Sequence, residues 1–248
     1  MSEMGHYKFS NKVIAIPLLA MILIWGVFWV ELALGVNFNE FGVMPRTLLG
    51  LRGVVFSPFI HGSLEHLYNN TISLAILVAA LWYFYRDVAW KVVLYGILLS
   101  GFLTWIIGRT SYHIGASGLI YVLASFIFFK GIFSSYFRLV SLSLIVVFIY
   151  GSMLWYIFPV KEGMSWEGHL GGFLTGLFLA KVVKARIPPT KKYEWEKEDF
   201  NEKDDLFLKH FDENGNFREL PTDEDIDEDS SLRINYIFKE NSEKESKT

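Results

Sequence analysis

Residues 115–133 read GASGLIYVLASFIFFKGIF, an apolar run long enough to cross a bilayer, with Ser117 close to its start. A hydrocarbon core needs roughly 20 mostly apolar residues per helix. A second run, GHLGGFLTGLFLA at 168–180, carries His169 in a similar place. Polar and ionisable side chains at membrane depth are rare and mark a functional site by default. The two runs therefore predict a membrane protein that holds a candidate nucleophile and a candidate base inside the bilayer.

The composition of the 248-residue chain agrees with this prediction, because 52% of the residues are hydrophobic and 17% are aromatic. Residues 1–192 carry 15 Lys+Arg and 7 Asp+Glu, whereas residues 193–248 carry 8 and 19. A basic, apolar body joined to an acidic tail indicates a membrane domain with a cytosolic extension and argues against nucleic-acid binding. The chain has no cysteine, which excludes disulfides, thiolate catalysis and cysteine-ligated metal sites.

Six apolar runs predict an all-α, polytopic bundle of six transmembrane helices. They lie at 13–34, 66–86, 88–108, 115–133, 136–157 and 168–187. The first is too long for a signal peptide and lacks a clean cleavage pattern, so we expect it to be retained. The proline pair at 188–189 is expected to end the sixth helix. The predicted domains are a cytoplasmic N-terminus (1–12), the membrane domain (13–187) and an acidic, largely disordered cytoplasmic tail (188–248).

The basic residues predict the orientation, since the side with more Lys and Arg faces the cytoplasm. Six spans place both termini on one side. If that side is cytoplasmic, eleven basic residues up to Lys192 lie inside and four lie outside, namely Arg46, Arg52, Arg109 and Lys161. We therefore expect a multi-pass protein of a bacterial plasma or inner membrane with cytoplasmic termini. The second, fourth and sixth helices then start on the outer side, which brings four polar residues to a similar depth: His66, Asn70, Ser117 and His169.

Three strings carry a resemblance to a known family: HGSLEHLYNN (61–70), GASGLIY (115–121) and GHLGGFLTG (168–176). In this order and on these spans, the chain resembles the rhomboid family of intramembrane serine proteases. The resemblance covers the membrane domain and not the tail. It implies a rhomboid-like bundle, embedded in a lipid bilayer, that cleaves single-span or polytopic membrane proteins near the outer leaflet and needs no cofactor.

The resemblance implies that Ser117 is the nucleophile and His169 the general base of a Ser–His dyad. A serine hydroxyl attacks only when a neighbouring base takes its proton, and the base later protonates the leaving amine. Other roles stay open from the residues alone. A serine among glycines permits close helix packing, and a membrane histidine can form an interhelical hydrogen bond.

Small and aromatic residues around the dyad are candidate supports. The sixth run has a row of small residues on the face that carries His169, which allows a close helix neighbour: Gly168, Gly172, Gly176 and Ala180. The resemblance identifies the neighbour as helix four, where Gly115 precedes the serine. It also implies that Tyr121 stacks on His169, although ordinary aromatic packing is the alternative.

His66 and Asn70 are spaced i, i+4 and therefore share one face of helix two. Two neutral donors held together suit an oxyanion hole, which would also use the backbone N–H of Ser117. A metal site is the alternative, with three loose candidates for further ligands: His61, His113 and Asn69.

The segment 35–65 has no span, yet it is too apolar to be disordered, and it resembles the family's first loop. The Trp-Arg pair of well-known bacterial members is missing, so either Arg46 or Arg52 could anchor this loop. Two rival functions remain. One is an inactive rhomboid-like protein that binds membrane clients for sorting or quality control, and the other is a transporter or channel with intramembrane histidines. The partner of the tail cannot be predicted.

Overall fold

The computed structural model describes residues 7, 9–188, 193–203 and 205–219, and in this part of the chain every regular element is a helix. The chain divides into two compact units, Met1–Thr190 and Lys191–Thr248. The first unit contains five helices that are long and apolar enough to cross a membrane. They are α1 (Lys12–Leu34), α2 (Leu64–Phe84), α3 (Ala89–Ile107), α4 (Ser117–Ser134) and α5 (Phe137–Tyr150), which continues as a 3₁₀ helix over Gly151–Ile157.

The sixth predicted span differs most from its prediction. Helix α6 covers Trp166–Val182, 17 residues, and ends well before the proline pair. The expectation that the prolines end this helix is wrong. The ammonium of Lys130 instead donates to the carbonyl oxygens of Ala180 at 3.0 Å and Val183 at 2.6 Å, which satisfies acceptors that a helix C-terminus leaves unpaired. The prediction of six spans stays a prediction, because α6, with 17 residues, is not among the five helices of spanning length.

Helix α4 is the central helix of the bundle and packs most closely on α6. A Cβ atom on Gly172 would overlap the carbonyl oxygen of Gly118, and one on Gly176 would overlap the carbonyl oxygen of Val122. Glycine at these positions therefore allows backbone-to-backbone contact, as the small-residue row predicts. The far half of α4 packs on the end of α2, where the fully buried rings of Phe126 and Tyr85 lie 5.4 Å apart between centres.

The first loop is ordered and contains four short helical turns, at Asn39–Phe41, Leu49–Arg52, Gly53–Phe56 and Ser57–Phe59. Both candidate arginines hold it. The Arg46 guanidinium donates to the carbonyl oxygens of Ile106 and Gly108 and so fastens the loop to the end of α3. Arg52 acts within the loop, where it donates to the Glu40 carbonyl oxygen and lies 4.4 Å from the centre of the Phe41 ring.

The second unit is described for residues 193–203 and 205–219. It contains 3₁₀ turns at Glu194–Glu196 and Leu208–His210, and a tight turn pairs Phe211 with Phe217. The Asp212 carboxylate accepts backbone N–H groups of Asn214 and Asn216 within this turn. The most acidic string of the tail, at 223–229, lies outside the described residues, so the predicted disorder stays a prediction.

Candidate active site

Ser117 is the first residue of α4 and follows a non-helical segment, residues 108–116. The first N–H groups of a helix have no partner within it, so the backbone N–H of Ser117 makes no bond inside α4. The backbone N–H groups of the two preceding residues both have hydrogen-bond acceptors. Gly115 donates to the Ser57 carbonyl oxygen at 2.8 Å, and Ala116 donates to Nε2 of His61 at 3.4 Å. The backbone before the serine is thus held in place from the first loop.

His66 and Asn70 both lie against Gly115, two residues before the serine. A Cβ atom on Gly115 would come within 2.7 Å of His66 Nε2 and 3.4 Å of Asn70 Nδ2, and its φ of +107° also favours glycine. Asn70 is 6% exposed, and its Nδ2 has no hydrogen-bond partner among the described residues. Because a buried donor without a partner costs about 1–3 kcal/mol, such a group is typical of a site that binds a ligand or a transition state.

His169 is buried on α6, with its orientation determined by two contacts. Its Nδ1 lies 2.9 Å from the carbonyl oxygen of Tyr156 in the 3₁₀ extension of α5. Its ring stacks on Tyr121, as the resemblance implies, with ring centres 4.4 Å apart and planes 13° from parallel. The Tyr121 hydroxyl in turn donates to the Met153 carbonyl oxygen at 2.6 Å.

The hydrogen bond to Tyr156 determines which nitrogen of His169 is basic. A carbonyl oxygen can only accept, so Nδ1 must carry the proton. In a neutral imidazole the other nitrogen, Nε2, is then an acceptor. This is the tautomer that a general base requires.

The α4–α6 contact brings the serine and histidine segments together. A Cβ atom on Gly172 would overlap the carbonyl oxygen of Gly118, so these two backbones are in direct contact, whereas a Cβ atom on Gly118 would just fit, 3.5 Å from the carbonyl oxygen of Gly168. Ser117 directly precedes Gly118, and His169 directly follows Gly168.

A cavity of about 30 Å³ lies beside Ser117, which is room for about one water molecule. Its wall contains several polar side chains: Ser100, Thr104, His113, Ser117 and Ser165. A water site next to a nucleophile is a requirement for hydrolysis, because water must release the acyl group.

Two of the candidate metal ligands, His61 and His113, have other roles in the structure. His61 accepts the N–H of Ala116, and burial lowers its pKa to about 4, which keeps the ring neutral and able to accept. His113 is bonded to Ser165 and to the Arg109 carbonyl oxygen. In the described ranges, no group of three or more His, Asp or Glu could hold a metal ion.

Sequence reasoning missed two groups that hold the candidate dyad. The Tyr156 carbonyl gives no signal in a sequence, because any residue has one. His61 was weighed only as a metal ligand, although its place nine residues before Asn70 in one short string could have suggested a shared site.

A comparison with protein families finds that the Rhomboid domain matches residues 50–186, more than half of the chain. The chain belongs to the rhomboid family. Together with five apolar helices of spanning length, membership of this family identifies an integral membrane protein. The rhomboid domain covers α2 to α6 and hence His66, Asn70, Ser117 and His169.

The relatives with similar sequences are bacterial. Uncharacterized proteins of Mycobacterium tuberculosis (strain H37Rv) and Mycobacterium bovis are each 35% identical over 158 residues, which is 58% of this chain and 64% of theirs. An uncharacterized protein of Mycobacterium leprae is 34% identical over 146 residues, 54% of this chain and 57% of its own. The chain thus spans less than two thirds of the length of these relatives.

Proposed function

We propose that the protein is an intramembrane serine endopeptidase in which Ser117 and His169 act as a dyad. The observation that carries this proposal is the tautomer of His169. Its Nδ1–H is bound to the Tyr156 carbonyl oxygen, so Nε2 is the basic nitrogen. The contact of Gly118 with Gly172, one helical turn from His169, supports placing that nitrogen beside the serine.

The dyad works by acyl transfer. Ser117 Oγ attacks the carbonyl carbon of the scissile peptide bond while His169 Nε2 takes the hydroxyl proton. The histidine then returns the proton to the leaving amine, and the peptide bond breaks. Water, for which the cavity beside Ser117 has room, attacks the acyl-enzyme and regenerates the serine.

His66 and Asn70 would stabilise the oxyanion that forms during this attack. Both face Gly115, and the amide of Asn70 is a buried donor whose partner is missing among the described residues. With the backbone N–H of Ser117, they form a preorganised set of donors that costs no reorganisation at the moment of reaction.

The substrates we propose are transmembrane helices of other membrane proteins, which reach the site from the lipid. The substrate helix must unwind locally before a serine can attack one of its peptide bonds. The cavity at the start of α4 has room for the water that an unwound segment requires. We propose no cofactor, so a chelator should leave activity unchanged.

Six spans and cytoplasmic termini belong to the same proposal. Helix α6 is about 26 Å long at 1.5 Å per residue, close to a hydrocarbon core of about 30 Å, and a small mismatch costs little. Reporter fusions after residues 88, 134 and 192 should be cytoplasmic, and those near 48, 111 and 163 external. An external C-terminus would contradict the topology.

Labelling with a fluorophosphonate probe tests the activity. Purified protein should react at one site, and Ser117→Ala should lose the reaction, because only an activated serine attacks the probe. Ser152→Ala is the matched control, since Ser152 is exposed and outside the site. A wild-type protein that binds membrane clients but does not react would instead be an inactive rhomboid-like binding factor.

A further inference from the structure

A buried carboxylate lies two residues before His169. The Glu167 side chain is 1% exposed, and its Oε1 accepts the backbone N–H of Arg109 at 3.1 Å. Its Oε2 is 3.5 Å from Nη1 of the same arginine, whose Nη2 donates to the Met164 carbonyl oxygen at 2.6 Å. A buried charge is tolerated only when it is paired, so this double attachment holds the start of α6 against residue 109.

A second link joins the same two segments. His113 Nε2 lies 3.1 Å from the Arg109 carbonyl oxygen and must donate to it, so Nδ1 is the acceptor. The Ser165 hydroxyl, 2.6 Å away, therefore donates to His113 Nδ1. The same hydroxyl oxygen accepts the backbone N–H of Gly168 and caps α6. Burial lowers the pKa of His113, which keeps the ring neutral and Nδ1 free to accept.

We propose that Arg109 and Glu167 are positioning residues that align the nucleophile segment with the base helix; the inference rests on the proposed function. Residues 108–116 are non-helical, so helix geometry does not determine where this segment lies. The ion pair and its hydrogen bonds, here called the Arg109–Glu167 clasp, tie it to the helix that carries His169. A misplacement of about 1 Å can lower a reaction rate by about a hundredfold.

The first test measures turnover of a transmembrane substrate in detergent. Glu167→Ala should lower kcat by about ten- to a hundredfold with KM changed less than about twofold, because the dyad is misaligned while the substrate still binds. Glu167→Gln keeps an oxygen for the Arg109 N–H and should keep more activity than alanine. The control is Glu162→Ala, an exposed acid of the loop that precedes α6, which should match wild type.

The fluorophosphonate probe separates misalignment from misfolding. Misalignment slows labelling of Ser117 in Glu167→Ala but leaves the final labelled fraction near that of wild type. Simple misfolding lowers the final fraction and leaves the rate of the remaining active molecules unchanged, which would overturn the proposal. If Glu167→Ala does not fold, the labelling rate and the final labelled fraction are measured on Glu167→Gln and Arg109→Lys instead, since each keeps part of the clasp.

A distance measurement tests the clasp without using catalysis. The chain has no cysteine, so spin labels at Tyr112→Cys and Lys161→Cys are unique. Their distance distribution should broaden with Glu167→Ala and stay narrow with Glu162→Ala. If the distribution broadens with Glu167→Ala but the wild-type protein never reacts with the probe, the proposed function is rejected while the structural role of the clasp is confirmed. An unchanged distribution would overturn the clasp, whether or not kcat falls.

Discussion

The two ends of the α4–α6 pair are built differently. At the site end, Gly118 meets Gly172 backbone to backbone, a cavity remains, and buried polar groups line it. At the lysine end, large side chains such as Phe126 fill the space, and Lys130 satisfies the last carbonyl oxygens of α6. The site end keeps a cavity and a buried amide donor that has no partner among the described residues, whereas at the lysine end a charged side chain binds the last carbonyl oxygens of α6.

The difference indicates a division of roles along one helix pair. Polar groups held without partners reduce stability, and proteins keep them where function requires them. We therefore expect substitutions at the site end to lower activity more than stability, and substitutions at the lysine end to do the reverse.

The largest expected effect is at the dyad. Ser117→Ala and His169→Ala should each lower turnover of a transmembrane substrate by at least about 10⁴-fold, because members of such a unit act together. Thermal unfolding should change little. Rates are measured in detergent with Ser152→Ala as the control, and turnover well above background in both variants would reject the assignment.

The second largest effect is expected at the contact of Gly172 with Gly118, at the site end. Gly172→Ala places a methyl group against the Gly118 carbonyl oxygen, and neither backbone can yield without separating the helices. Activity should fall about a hundredfold, and unfolding free energy by about 1–3 kcal/mol, the usual cost of overpacking. Gly26→Ala is the control, because a Cβ atom there meets nothing within 4 Å. Equal behaviour of the two variants would show that close approach is unimportant.

Sequence reasoning succeeds where the side chain itself is the signal. The apolar runs predict α1 to α4 to within two residues, and the small-residue row of α6 predicts its close neighbour. Prediction from the sequence fails where a distant segment of the chain determines the end of a helix. Lys130 lies 50 residues from Ala180, yet it contacts the last turn of α6, and that helix ends before the prolines that were expected to end it.

The same limit applies within the candidate site. The spacing of His66 and Asn70 predicts a shared helix face, but no pattern shows that both face Gly115. The hydrogen bond of His169 to the Tyr156 carbonyl oxygen depends on the change of α5 to a 3₁₀ helix after Tyr150. Long-range backbone contacts of this kind have no periodicity and no residue preference to read.

A smaller effect is expected from the oxyanion donors. Asn70→Ala and His66→Ala should each lower kcat by about ten- to a hundredfold, less than the loss of a donor in other serine proteases, because the remaining donors compensate in part. Substrate binding should change little, since the oxyanion exists only along the reaction path. Steady-state kinetics separate the two quantities. A loss of binding with normal turnover would identify both residues as substrate contacts.

The smallest effect on activity is expected at the lysine end. Lys130→Met keeps the length of the side chain but removes both hydrogen bonds to the end of α6. Because the ammonium is partly exposed and water can replace it, unfolding free energy should fall by about 1–2 kcal/mol, toward the lower range for bonds to a charged group. Turnover well below the unfolding temperature should equal that of wild type.

Lys181→Met is the matched control for that variant, since Lys181 is an exposed lysine of α6 itself and should change neither quantity. Thermal unfolding and kcat are measured on the same preparations. If Lys130→Met lowers kcat at a temperature where the protein is folded, motion at the lysine end reaches His169 along α6. The two ends of the α4–α6 pair would then be coupled, and the division between a stabilising end and a reactive end would be wrong.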